Sequence, residues 1–266
     1  MCGLTGILLC KKQRSETELD YTKHLFTELL INSEHRGPYA TGAAIINYDN
    51  GSHVDKAPLP ASRYVCSPGY DQLMEVVSQY TTIMMGHTRW PTRGSHLDNT
   101  NNQPLCSDGY LLCITHNGHA KNADELSALL GLPREWEVDS EILLRIAERH
   151  IIHDGIDTDT FIRDIALVRG RVSAVIASPQ WANKVYLLKG NQPLFMWWNR
   201  KMKMLAYASE KEILGRSIDD AKSWQEIPIP EWRLVTVTLD KKPKLEFEPF
   251  SLAGGVNHVA DSYDRN

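Results

Sequence analysis

The N-terminal residues constrain this chain more than any others. GLTGILLC (3–10) is a short run of small and apolar residues that ends at Lys11 and Lys12, the pattern of a buried strand. A buried strand starting there would bury the chain end with it, and Cys2 stands directly in front. The next segment places Leu19, Phe26, Leu29 and Leu30 at helical spacing between Glu16 and about Ser33, with Ser15 or Thr17 as cap. Gly37, Pro38 and Gly42 then punctuate a turn before a strand at Ala43–Tyr48, and Asn50 and Gly51 make a hairpin turn.

Further along, the spacing predicts a helix at Tyr70–Tyr80 and apolar strands at 81–88 (TTIMMGHT) and 110–116 (YLLCITH). The second strand leaves into Asn117 and Gly118, and helices are expected at Ala123–Leu130, Asp139–His150 and Asp157–Val168. After Gly170 the runs RVSAVIAS, KVYLLKG, PLFMWWN and MKMLAYAS read as an antiparallel meander, followed by a helix at Glu210–Gly215 and a strand at Arg233–Leu239.

The 266 residues could make two small domains or one large one, but no linker or repeat divides them, so one domain is expected. Hydrophobic residues at 42% and charged residues at 23% exclude a disordered tail, a fibre or a coiled coil as the dominant class. A formal net charge of −4 argues against nucleic acid or an anionic membrane as the main partner. No apolar run approaches the ~18 residues of a spanning helix and the N-terminus lacks the order of a secretory signal, so a cytoplasmic protein is expected. Five cysteines without a CxxC pair read as mostly reduced.

Cys2 follows the initiator methionine, whose removal would leave the thiol beside a free α-amino group. With a reference pKa near 7.7–8, that amine can act as base for its own side chain at neutral pH. Taken alone, Cys2 also fits a small buried hydrophobe. The remaining motifs weigh against that: HRGPYATG at 35–42, GHTRWPTRG at 86–94, NNQP at 101–104, THNG at 115–118 and VDSE at 138–141.

In that order and spacing, with MCGLTGILL at the start, the chain resembles the class II glutamine amidotransferases, the N-terminal-nucleophile glutaminase domains of glucosamine-6-phosphate synthase, amidophosphoribosyltransferase and asparagine synthetase. The resemblance is strongest from Cys2 to about Glu141. It implies an α+β fold, a four-layer αββα sandwich of the N-terminal-nucleophile hydrolase type, with Cys2 beginning a central strand. It further implies a glutaminase domain over 1–240 and a C-terminal extension over 241–266 that could contact a partner.

Residue by residue, the resemblance implies Cys2 as nucleophile, and the Asn117 side chain and Gly118 N–H as the two oxyanion donors. It assigns Arg89 and Thr92 to glutamine's α-carboxylate, Trp90 to the pocket wall and Asp139 to the α-ammonium, with Arg36 and Gly37 in support. Asp139 also fits a helix N-cap, and Asn117–Gly118 a hairpin turn. The chain departs from the family at Arg93, in the Arg89–Leu97 loop expected to close over glutamine, and at Tyr39, where an aspartate is common.

His87, His96, His116 and His119 lack metal-ligand spacing, so no metal and no cofactor are expected. The tryptophans and Phe195 of FMWW are expected to pack a sheet face or interface, and Arg200, Lys201 and Lys203 to lie on a solvated turn. The implied activity is hydrolysis of L-glutamine through a Cys2 γ-glutamyl thioester, the ammonia passing to a separate acceptor-using synthetase or amidoligase. The alternatives are a free-standing γ-glutamyl amide hydrolase and a non-catalytic regulatory module of the same fold.

Overall fold

A computed structural model describes residues 2–49 and 51–253. Its strands, in chain order, are β1 (Gly3–Leu9), β2 (Ala40–Asn47), β3 (Gly51–Ala57), β4 (Thr81–Arg89), β5 (Leu105–Cys106), β6 (Cys113–Ala120), β7 (Ile151–Ile152), β8 (Gly155–Ile156), β9 (Gly170–Ala177), β10 (Lys184–Lys189), β11 (Phe195–Asn199), β12 (Met204–Ala208), β13 (Trp224–Ile227), β14 (Arg233–Leu239) and β15 (Pro243–Pro249). The helices are α1 (Glu16–Ser33), α2 (Ala61–Tyr64), α3 (Pro68–Glu75), α4 (Ala123–Leu130), α5 (Glu141–Arg149), α6 (Thr158–Ile165) and α7 (Lys211–Ser217).

Two antiparallel sheets stack face to face, one ordered β13-β11-β12-β1-β4-β2-β3 and the other β15-β14-β10-β9-β6-β5. Between them lies an apolar core that includes Leu4, Leu8, Ile83 and Met85 from the first sheet and Val175, Leu187 and Val235 from the second. Helices α1, α3 and α7 cover the outer face of the first sheet, where Ile7, Leu9 and Met84 meet Phe26, Leu29 and Leu30. Helices α4, α5 and α6 cover the second sheet over Ile114, Ala174 and Ile176. The result is the expected four-layer αββα sandwich.

This layering explains the N-terminal run. In a strand, alternate side chains face opposite ways, so Leu4 and Leu8 enter the inner core while Ile7 and Leu9 meet the helices. Both faces are covered, so both must be apolar, and β1 lies fourth of seven in its sheet. Helix α1 begins where expected because Ser15 and Glu18 form a reciprocal capping box.

Some expectations shift. The runs after Gly170 are two hairpins in different sheets: β9 pairs with β10 in one, β11 with β12 in the other. All four strands are apolar enough to be buried on either sheet, so their pattern does not state which sheet takes them. The second helix is two short ones, α2 and α3, the latter starting at Pro68 behind a Ser67 cap and ending before residue 76. Strand β6 runs on to Ala120, so Asn117 and Gly118 lie inside it. Beyond residue 240, β15 pairs with β14 along its length, and Phe250 and Leu252 join the core under α6. Residues 254–266 lie outside the described residues. Among the described residues no helix is long and apolar enough to cross a membrane.

Candidate active site

Cys2 lies one residue before the Gly3–Thr88 pair of β1 and β4, which sets it beside the end of β4. Trp90 donates its backbone N–H to the Cys2 sulfur at 3.3 Å. Arg36 holds the other side: its Nε donates to the Cys2 carbonyl at 2.7 Å, and its Nη1 pairs with Glu210. Gly37 lets this segment pass directly under the end of β4, since a Cβ there would stand 2.3 Å from the Arg89 carbonyl carbon. Burial pushes the Cys2 thiol up, with the Trp90 N–H and the Arg89 and Arg36 charges opposing.

Asn117 approaches from the other sheet. Its Nδ2 donates at 2.8 Å to Ser209 Oγ, which also accepts from the backbone N–H of Leu4 at 2.8 Å. One hydroxyl therefore ties the Asn117 side chain to β1, the strand that follows Cys2. Gly118 has φ +143°, and a Cβ on it would stand 1.9 Å from the Arg171 carbonyl oxygen. Only glycine fits there.

Cys2, Trp90, Thr92, Asn117, Gly118, His119, Arg171 and Gln192 line one cavity of about 300 Å³, within the size range of small-molecule sites. Of the residues the motifs single out, the wall thus gathers Cys2, Trp90, Thr92, Asn117 and Gly118, while Arg36 and Gly37 back Cys2.

Arg89 and Asp139 stand behind the wall. Arg89 is buried, and its two terminal nitrogens donate to Asn102 Oδ1 and to the carbonyls of Arg93, Gly94 and Ser95. It holds the loop that follows Trp90. Asp139 Oδ2 accepts from the Ala120 N–H at 2.6 Å and lies 3.1 Å from His119 Nδ1. Helix α5 starts two residues later, with Ser140 at its N-cap position.

The NNQP run is a latch for the same loop. Asn102 Nδ2 donates to the His96 carbonyl, Asn101 Nδ2 to Glu137 Oε2, and Gln103 Nε2 to Ser140 Oγ and the His116 carbonyl. Arg93 pairs with Asp124 at the start of α4, and Tyr39 stacks edge-on against Trp90 and His96. Arg93 and Tyr39 therefore both brace the loop from outside. His87 and His116 are buried, whereas His119 is half-exposed and lines the cavity.

Sequence reasoning missed Ser209, Arg171 and Gln192. Ser209 sits in YASEKEIL, where a hydroxyl between strand and helix reads as punctuation. Arg171 begins an apolar strand and reads as a solvated end. Neither carries a local signal, because each acts across a contact distant in sequence.

No family model matches the chain. The glutamine–fructose-6-phosphate aminotransferase (isomerizing) of Geobacillus kaustophilus is 24% identical over 201 residues, covering 74% of this chain and 30% of that protein. That of Staphylococcus aureus strain Mu50 is 26% identical over the same shares. The glutamine phosphoribosylpyrophosphate amidotransferase from B. subtilis, solved with ADP and GMP, superposes over 92% of this chain and 49% of its own, with TM-score 0.69 and 18% identity. The chain is similar in sequence to these glutamine-using aminotransferases and shares its fold with the amidotransferase. The chain spans about 30% of the length of the curated relatives it matches. A second solved structure, of an allosteric regulatory enzyme of purine biosynthesis, shares the fold at TM-score 0.68 and 17% identity.

Proposed function

We propose that the chain hydrolyses L-glutamine to glutamate and ammonia through a γ-glutamyl thioester on Cys2. The observation that carries this reading is the convergence of Cys2, Asn117 and Gly118 on one cavity wall from two different sheets. With Met1 removed, the Cys2 α-amine takes the thiol proton as sulfur bonds to the amide carbon. The carbonyl π pair moves to oxygen, where the second Asn117 Nδ2 hydrogen and the Gly118 N–H are the proposed donors. Collapse breaks the C–N bond, and the leaving nitrogen takes the proton as ammonia. Water then cleaves the thioester, releasing glutamate and restoring the thiol.

A raised thiol pKa suits a base on the same residue, because proton removal and attack can occur together. Thr92 and Trp90 border the space for the amino-acid head, with the Arg89 and Asp139 charges placed behind them. We propose a separate acceptor-using synthetase or amidoligase as recipient of the ammonia, on the ground that the relatives' printed names join glutamine to transfer onto a second compound. Residues 241–266 are the proposed partner-facing extension of the domain.

The test is intact-protein mass before and after incubation with 6-diazo-5-oxo-L-norleucine, with Cys2→Ala as control. The expected result is a chain lacking Met1 that gains one adduct absent from Cys2→Ala. Retained Met1, or glutamate release by Cys2→Ala, overturns the mechanism.

A further inference from the structure

Away from the candidate active site, the β5–β6 hairpin sets two free cysteines against each other. Cys106 of β5 lies directly opposite Cys113 of β6. The next pair toward the turn is bonded, since the Ser107 N–H donates to the Leu112 carbonyl at 2.9 Å. Bonded and non-bonded pairs alternate along an antiparallel ladder, so Cys106 and Cys113 form a non-hydrogen-bonded pair, whose Cα atoms stand ~4.5 Å apart. That falls inside the window of about 4.4–6.8 Å that a disulfide spans. Directly opposite residues also share a face, which points both side chains the same way. Their sulfurs are 2.6 Å apart, and a covalent bond at about 2.0 Å is roughly half an ångström away.

The two thiols differ in access. Cys113 is buried in the core between the sheets, whereas Cys106 is half-buried. Cys106 lines a surface cavity of about 330 Å³ with Lys56, Thr100, Pro104 and Trp136. Lys56 is held there by its Nζ, which donates to the Asn102 carbonyl at 2.8 Å. Burial and the Cys113 thiol keep the Cys106 thiol well above the usual cysteine range, with the Lys56 charge opposing. A disulfide carries no charge, so the burial that resists the thiolate does not penalise the bond. Cys66 is the contrast: it is exposed, and its sulfur donates to the Ser62 carbonyl.

We infer that Cys106 and Cys113 are a thiol modification site, a pair that closes a reversible intrachain disulfide by exchange with a low-molecular-weight disulfide. The Cys106 thiolate attacks one sulfur of the small disulfide, forming a mixed disulfide and expelling the first small thiolate. The Cys113 thiolate then attacks the Cys106 sulfur, breaks the mixed bond and expels the second. The two cysteine protons go to the two leaving thiolates, so the chain loses two hydrogens and the small disulfide becomes two thiols. The bond staples the start of β6, the strand that runs on to Asn117 and Gly118. It lies next to a second clasp on that strand, where Gln103 Oε1 accepts from the His116 N–H at 2.5 Å and its Nε2 donates to the His116 carbonyl at 3.3 Å. This site is independent of the glutaminase reading, and either can fail without the other.

The experiment incubates the full reduced chain with glutathione disulfide and blocks the remaining thiols with iodoacetamide. The chain is then cleaved at Asp108, between the two cysteines, and each cysteine is mapped by mass spectrometry beside Cys113→Ala and Cys106→Ala. Wild type is expected to give a peptide pair joined through Cys106 and Cys113 that dithiothreitol separates, with Cys66 outside any intrachain bond. Cys113→Ala should stop at one glutathione on Cys106, and Cys106→Ala should leave Cys113 free of glutathione. The joined chain should also melt about 5 °C above the reduced one, the shift expected when a bond closes a short loop. Wild type with both cysteines alkylated, or with glutathione retained on Cys106, overturns the inference. Glutathione on Cys113 in Cys106→Ala overturns the order of attack.

Discussion

Cys2 is placed against its own ionisation: burial raises the thiol pKa although the Trp90 N–H and two guanidiniums oppose it. Site-resolved alkylation by iodoacetamide should therefore be slow at Cys2 near neutral pH and keep rising beyond ~8.5, the value of a free cysteine. A plateau by pH 8 would show a standing thiolate and remove the need for the α-amine. Ser209 is a positioning residue, since its hydroxyl joins Asn117 to the Leu4 backbone. Ser209→Ala should lower kcat roughly fivefold, about 1 kcal/mol of lost orientation, with KM little changed. An equal rise in KM would mean that the hydroxyl supports binding instead. Gly118→Ala places a side chain at φ +143° against the Arg171 carbonyl. It should cost ~1–3 kcal/mol or more of stability, read as a lower Tm, and abolish turnover.

At the scale of elements, the segment from Arg89 to Asn102 is held by its own polar side chains more than by apolar contact. Glu137 joins it to the approach to α5, accepting from the Ser95 N–H at 3.1 Å and Asn101 Nδ2 at 2.7 Å. Glu137→Ala should loosen the loop and raise KM for glutamine about tenfold while leaving the melting transition of the sandwich close to wild type. Unchanged KM would show that loop order does not contribute to binding. Strand β4, which ends in Arg89, carries a pH limit as well: burial and the nearby Arg89 push His87 down to about 3, and burial lowers His116 too. The unfolded chain binds these protons near pH 6.5 and the folded chain does not. The His87 contribution is therefore complete above ~6.5 and falls as pH drops toward 3, by up to ~1.4 kcal/mol per pH unit, and His116 acts in the same direction. Chemical denaturation across this range should show a shallower slope for His87→Leu than for wild type.

The described residues form two large stacked sheets between two helical layers, and the candidate site lies where the ends of both sheets meet. How much of this could be read in advance depended on range. Helix α1 was legible because its cap, its apolar spacing and its end lie within eighteen residues. The motif residues around Cys2, Arg89 and Asn117 were legible as chemistry because each group lies within a few neighbours. The division of the strands after Gly170 between two sheets was not, since apolar strands carry no mark of the sheet they join. Nor was the separation of Arg89 and Asp139 from the cavity surface, which depends on which loop oxygens and backbone N–H groups reach them first.

By itself, then, the sequence determined the repertoire: a cysteine directly after Met1, an Asn-Gly pair, a loop with arginine and tryptophan, and enough apolar strand and helix for a layered fold. Tertiary structure decided which of these groups share a surface. Trp90 meets Cys2 across 88 residues, Asn117 meets Ser209 across 92 and Leu4 meets Ser209 across 205. Contacts at that range are set by sheet register and layer packing, to which every strand contributes and which no single segment encodes. For the same reason Arg171 is an ordinary strand-end arginine in the sequence and a cation on the cavity wall in the fold.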